Sequence, residues 1–371
     1  MKLSNRRHSI DASGIRKVFS LAAQLKNPCN LSIGLPDYDV PDQYKEAAIE
    51  AIRAGKNRYT MTNGIATLRE KLKARYAARG QQIGDVIITS GTSGGIYLSF
   101  MALLDPGDGV MFSDPYFVIY RQVAKLLGAE ACIFDTYPDF RVRREALEAA
   151  WKPNCKLLVV NSPANPTGRV YDREELQTLA RFAEEKDMVL LSDEIYEDFV
   201  YDGTFDSPAN YSDPERTIIL SGMSKNVAMT GWRVGWATGP KDLVQALSDL
   251  QQYTYVCAPS MAQEAAVAAL DYDMTDARNL FKRRRDLVAN GLKELGFPVR
   301  TPEGAFYIFP EVPTGETGEQ FVRRAIEKEL LVVPGGVFSN KDQNFRISYA
   351  ADTKVIERGL GILAEVLGLK H

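Results

Sequence analysis

The chain has 371 residues, enough for one large domain and a smaller one, each with its own core. Its 45% hydrophobic and 25% charged residues are the mixture of an ordinary globular protein. The 45 basic and 48 acidic side chains leave a net charge of -3, with no basic stripe for nucleic acid and no apolar run long enough for a membrane span.

Val86–Ile88 reads as the first clear strand, followed by a Gly/Ser/Thr turn and a helix expected from Gly95 to Leu104. Asp105-Pro106-Gly107-Asp108 is a turn leading into a strand at Val110–Phe112. Lys156–Val160 is a further strand; after it Asp172 and Glu175 form a capping-box pattern, with Leu176, Leu179 and Ala183 at helical spacing. Strands follow at Met188–Leu191 and Thr217–Leu220, then a charged helix over Thr275–Leu295 whose Lys282–Arg285 run reads as a solvated face. This alternation predicts an α/β fold with a mainly parallel central sheet. Short strands at Ala305–Phe309, Leu331–Val333 and Phe345–Ser348 precede a helix with Ile356, Leu360, Leu363 and Leu367 on one face, which predicts a smaller α+β domain.

Cysteine and histidine usage narrows the chemistry. Cys29, Cys132, Cys155 and Cys257 lie far apart without a CxxC pair, which favours free thiols in a reducing cytoplasm. Met1–Arg16 is polar and lacks the apolar core of a signal peptide. The two histidines, His8 and His371, lie near the two ends, so neither a Ser-His-Asp triad nor a histidine-rich metal site is expected. Proton transfer then falls to Lys, Asp, Glu or Tyr, or to a cofactor.

In an open α/β sheet, ligands gather at the carboxyl ends of the strands. The first strand ends in Thr89–Gly95, a plain Gly-rich turn or a phosphate cup at a helix N-terminus. The second ends in Asn161–Gly168, where Asn165-Pro166 is a tight turn or Asn165 donates to a ligand oxygen. The third ends in Ser192-Asp193-Glu194-Ile195-Tyr196. Asp193 is either a helix cap or a carboxylate holding a cationic ring nitrogen, with Tyr196 one helical turn away. The fourth runs into Ser221–Gly235, where Lys225 follows a buried strand and Arg233 lies in reach of the same site. An isolated lysine is usually a surface residue, but here burial or a nearby cation would free its amine for Schiff-base chemistry.

Together these segments resemble the class I/II aminotransferases of fold type I, the aspartate aminotransferase superfamily. The resemblance runs from Leu31–Pro41 through Tyr59-Thr60 with Gly64, Leu68 and Arg69, then Asn165–Gly168, Asp193 with Tyr196, and Lys225 with Arg233. It closes at Pro334–Phe338 and Phe345–Ser348. It implies a cofactor, pyridoxal 5′-phosphate, held as a Schiff base on Lys225, which also moves the proton between substrate and cofactor. Asp193 would pair with the pyridinium nitrogen, and Asn165 and Tyr196 with the phenolic oxygen. Gly91, Thr92, Ser93, Ser224 and Arg233 would bind the phosphate, and Phe117 would stack on the ring. Arg346 would grip the substrate α-carboxylate beside Asn165 and Gly34. Tyr59 matches a tyrosine that reaches the neighbouring subunit's phosphate, which implies a homodimer with shared sites. One departure is Gly222, where many relatives carry serine; Ser221 and Ser224 flank the gap.

The resemblance further implies a division into an arm with part of the small domain (1–40), a large cofactor-binding domain (41–279) and a small domain (280–371). The activity it implies is transamination between an L-amino acid and a 2-oxo acid such as 2-oxoglutarate. Its rivals are a C–S lyase on the same scaffold and a non-catalytic regulator; the retained Lys225 and Arg346 argue against the second. Ile15, Leu35 and Tyr38 are expected near the substrate side chain and lean toward neutral or aromatic donors, with aspartate left open.

Overall fold

The computed structural model describes residues 3–10 and 25–369. In chain order its principal elements begin with β1 (Cys29–Asn30), α1 (Asp42–Arg53), α2 (Ala66–Ala78), β2 (Asp85–Ser90), α3 (Gly91–Leu103), β3 (Gly109–Asp114) and α4 (Val118–Leu127). The middle continues with β4 (Glu130–Asp135), α5 (Arg144–Ala150), β5 (Cys155–Asn161), α6 (Arg173–Glu185), β6 (Val189–Asp193), β7 (Thr217–Gly222) and β8 (Val234–Gly239). The last part holds α7 (Lys241–Gln252), α8 (Ser260–Ala269), α9 (Thr275–Glu294), β9 (Tyr307–Ile308), α10 (Gly318–Glu327), β10 (Leu330–Leu331), β11 (Val333–Pro334), β12 (Phe345–Ser348) and α11 (Thr353–Val366).

Seven strands form the central sheet in the order β2-β8-β7-β6-β5-β3-β4. β8 is antiparallel to both β2 and β7, while the other pairings are parallel. Both faces are covered, so the strands are apolar at nearly every position rather than alternating. Ile87, Leu157, Leu191 and Ile218 pack with α3 and α7 on one face. Val86, Ile88 and Ile219 pack on the other, as do Met111, Leu158 and Leu190. A second body of structure has its own core of Phe281, Phe297, Phe321, Phe345 and Leu363, around the antiparallel set β11-β12-β9.

Two local features differ from the sequence expectations. α3 begins at Gly91 rather than Gly95: its small residues let the first turn press against Gly235 of β8, and that packing outweighs poor helix propensity. The basic run of α9 is only partly a solvated face, since Arg283 is exposed but the two residues after it are not. Arg284 and Arg285 are buried and paired, Arg284 in a two-pronged bridge to Asp37 and Arg285 with Asp202. The capping box at Asp172 and Glu175 forms as expected, and the four cysteines are free. Among the described residues no helix is long and apolar enough to cross a membrane.

Candidate active site

The sheet topology gathers the site. β2, β5, β6 and β7 point the same way, so Ser90, Asn161, Asp193 and Gly222 reach one edge. Because β8 runs against its neighbours, its first residues lie beside the last residues of β2 and β7, Val234 opposite Ser90 and Gly235 opposite Gly222. That reversal brings Arg233 to the edge where the other chemistry sits. A cavity of about 390 Å³ opens there and is lined by Gly34, Thr92, Asp193, Lys225, Arg233 and Arg346, among others.

The Lys225 amine points into this cavity and donates to the Gly34 carbonyl at 2.7 Å. Burial pushes its pKa down to about 8, with Arg346 and then Arg233 adding repulsion and Asp193 opposing them. The Tyr38 hydroxyl is within reach of the carbonyls of Lys225 at 3.1 Å and Asn226 at 2.8 Å. Tyr38, expected from the sequence near the substrate side chain, instead holds the lysine's backbone; Leu35, expected there too, does line the cavity.

Asp193 is buried at the end of β6, where Tyr120 of α4 donates to its Oδ2 at 2.6 Å. Burial raises this carboxyl to about 6, while the Tyr120 hydrogen bond restrains the rise. Asn161 donates to the Asp193 carbonyl and accepts from the Asn165 N–H. Residues 194–199 form a turn rather than a helix, so Tyr196 reaches the cavity from a tight loop. The Asn165 segment does turn sharply, Gly168 N–H donating to the Ala164 carbonyl at 2.8 Å. Its side chain also meets the cavity, so both sequence readings describe it.

Elsewhere on the cavity wall, Thr92 and Ser93 lie in the first turn of α3, with the Arg233 guanidinium beside that turn. Arg233 donates to the carbonyls of Thr230 and Ser90. The buried Thr92 hydroxyl has no protein partner, an arrangement suited to an anion bound by helix N–H groups and a guanidinium. Gly222 is required by close approach, since a β-carbon there would lie 2.9 Å from Gly235 Cα and 3.1 Å from Thr92 Oγ1. The Ser221 hydroxyl donates to Glu197, whereas Ser224 lines the cavity.

Arg346 of β12 closes the far side. It is 1% exposed, yet among the described residues it has no acidic partner. Nη1 donates to Asn165 Oδ1 at 3.0 Å and Nη2 to the Ser32 carbonyl at 2.8 Å, and Nε is unpartnered. The guanidinium lies between the rings of Tyr307 and Phe338, 4.4 and 4.6 Å from their centroids. A buried cation left without a counter-charge is costly, and a carboxylate entering the cavity would supply one.

Phe117 lines the cavity beside Tyr120. Gly91 heads α3 beside the Arg233 guanidinium. Tyr59 stands apart, 82% exposed on the surface, and Ile15 lies outside the described residues. Sequence reading missed Tyr120 and Tyr307. The first was discoverable, since it follows Phe117 by one helical turn. The second needed the register of β9 against β12, which places Tyr307 opposite Ser348.

The sequence profile of the family described as aminotransferase class I and II matches residues 26–363. The chain is 38% identical to a probable aspartate aminotransferase of Methanocaldococcus jannaschii, over 98% of this chain and 99% of the relative. It is 36% identical to aromatic-amino-acid aminotransferase 2 of Thermococcus litoralis, over 99% and 98%. The structure of aspartate aminotransferase from Thermus thermophilus with maleate matches with a TM-score of 0.95 at 35% identity, over 99% of this chain and all of that one.

Proposed function

The chain belongs to the class I and II aminotransferase family and is a pyridoxal-5′-phosphate-dependent transaminase; from that premise we propose how its residues divide the work and which donors it takes. The fit of the cofactor to the cavity is supported by the unpartnered Thr92 hydroxyl, in the turn beside Arg233, and by the buried Asp193 carboxylate. Bound there, the cofactor would supply an aldehyde for the amino group and a ring that draws electron density from the α-carbon.

Lys225 is the amine that would condense with that aldehyde and, once displaced by the substrate, would carry the proton from the substrate α-carbon to the cofactor. Asp193, steadied by Tyr120, keeps the ring nitrogen protonated. Thr92, Ser93, Ser224, Arg233 and the N–H groups beginning at Gly91 hold the phosphate, and Phe117 covers a ring face. Asn165 and Tyr196 serve the phenolic oxygen. Arg346 binds the α-carboxylate, oriented by Asn165 and with Gly34 alongside. The observation that carries this reading is the presence, in one cavity, of an amine with lowered basicity and a buried guanidinium that has no acidic partner among the described residues. Borohydride reduction of the holoenzyme leaves a pyridoxyl group on Lys225, and Lys225→Ala keeps the cofactor non-covalently without turnover; an adduct elsewhere sinks the assignment.

The donors are L-amino acids, neutral, aromatic or aspartate, with the cavity lining favouring the first two, and the acceptor is a 2-oxo acid such as 2-oxoglutarate. Beyond the carboxylate grip the cavity is lined by Ile33, Leu35 and Ile195, while Lys225, Arg233 and Arg346 already have tasks. Single-turnover spectra between roughly 360 and 430 nm rank the donors, and aspartate reacting fastest would overturn this preference. The enzyme works as a homodimer in which Tyr59 reaches the other subunit's phosphate, in line with its exposure. Residues 41–279 form the large domain and 280–371, with part of 1–40, the small one. Distinct cores around Leu157 and Phe345 support this division, with Tyr196, Phe199, Tyr201 and Met274 of the large domain packing into the second core. Four free cysteines support a cytoplasmic setting.

A further inference from the structure

Tyr307 has no part in the roles above, yet it touches three of the groups that do. Its hydroxyl lies 2.8 Å from that of Tyr196, and the Arg346 guanidinium stacks on its ring. The same hydroxyl fills the space a β-carbon on Gly34 would need, and Gly34 is the residue whose carbonyl holds the Lys225 amine. β9 and β12 are hydrogen-bonded neighbours, so one small sheet fixes phenol and guanidinium together.

A proton count separates two arrangements. Burial pushes both phenols up, so each carries its proton at neutral pH. Two hydroxyls in contact place one proton between their oxygens and leave the other to point elsewhere. The charged groups facing the pair are Arg346, Asp193 and Lys225, the last 5.9 Å from the Tyr196 ring centroid. Arg346 stacks on Tyr307 and makes that hydroxyl the better donor; it bears on Tyr196 as well, but Tyr196 alone of the pair also feels the Asp193 charge, which makes its oxygen the better acceptor.

We propose that Tyr307 is a positioning residue for the transamination: it donates to the Tyr196 oxygen, which leaves the Tyr196 proton free for the cofactor's phenolic oxygen. A donor that itself accepts a hydrogen bond is strengthened, so Tyr307 sets how firmly Tyr196 holds that oxygen in its ionised form. This rests on the assignment of Lys225 and Tyr196 to the cofactor.

The test is the pH titration of the lysine-linked absorbance band in the holoenzyme. In Tyr307→Phe the ionised oxygen loses support, and the midpoint moves up by about half a pH unit to one unit. Replacing Tyr307 with 3-fluorotyrosine, a more acidic phenol, moves it down. Tyr196→Phe combined with Tyr307→Phe shifts no further than Tyr196→Phe alone, because the second residue acts through the first. In Tyr307→Phe kcat falls by roughly fivefold while KM stays within about twofold, since the carboxylate contacts of Arg346 remain. An unmoved midpoint, additive shifts, or a loss confined to KM overturns the proposal. If the unsubstituted enzyme gave no borohydride adduct at Lys225, the Lys225 assignment itself would fall; an intact adduct with an unmoved titration sinks the Tyr307 role alone.

Discussion

Lys225 is where the fold changes the chemistry of a side chain most usefully. A free lysine titrates near 10.4 and is an inert cation at neutral pH. Burial, then Arg346, then Arg233, bring this amine to about 8, against the pull of Asp193. The sign follows directly: below that pH the amine is protonated and cannot attack, and above it the amine is a nucleophile. Capture of pyridoxal phosphate by cofactor-free protein therefore accelerates about tenfold per pH unit below the midpoint and levels off above it. Stopped-flow absorbance across pH 6–10 measures this. A rate still climbing past pH 10 would mean that the cavity does not perturb the amine. Replacing Arg346 with methionine removes the larger of the two repulsions and moves the plateau to higher pH.

At the scale of elements, what the sequence revealed tracks how local the cause is. Strands β3, β5, β6 and β7 are legible because burial on both faces writes an uninterrupted apolar run between turn residues. The cap of α6 is legible because Asp172 and Glu175 satisfy each other within one turn. Arg284 is illegible for the opposite reason. Its partner Asp37 is remote in sequence, so a run of basic residues could only be read as facing water. The same distance hides the Tyr196–Tyr307 contact, which exists because β9 folds back beside β12. Lys225, Asp193 and Arg346 were candidates because of motifs in the sequence, and the fold brings all three to one cavity. Tyr120 and Tyr307, which touch Asp193, Tyr196 and Arg346, belong to no such motif, and their contacts appear only when the strand ends are seen together.

Among the described residues, three large apolar side chains stand in solvent on segments that are tied to one another. Tyr59, Met61 and Tyr253 are 82%, 75% and 87% exposed. The segments carrying them are tied together, with Gln251 donating to the Thr62 carbonyl and Gln263 to Thr60 Oγ1, so they belong to one face. Exposed aromatics clustered in this way suit an interface between copies. If Tyr59 completes the phosphate site of the other subunit, the two halves of each site can be inactivated on different chains. Lys225→Ala abolishes turnover while leaving Tyr59 intact. Tyr59→Ala spares Lys225 but loosens the phosphate by roughly tenfold, the loss of one hydrogen bond to a charged group. In a hybrid dimer of the two variants, one site receives both defects and the other receives neither. Random re-pairing of an equal mixture makes about half the dimers hybrid, so roughly a quarter of all sites are intact. Activity at limiting cofactor should therefore rise after the variants are unfolded, mixed and refolded, above the sum of the two refolded separately. If hybrids form, as tagged subunits would reveal, and activity does not rise, each chain builds its site alone and the exposed face serves another purpose.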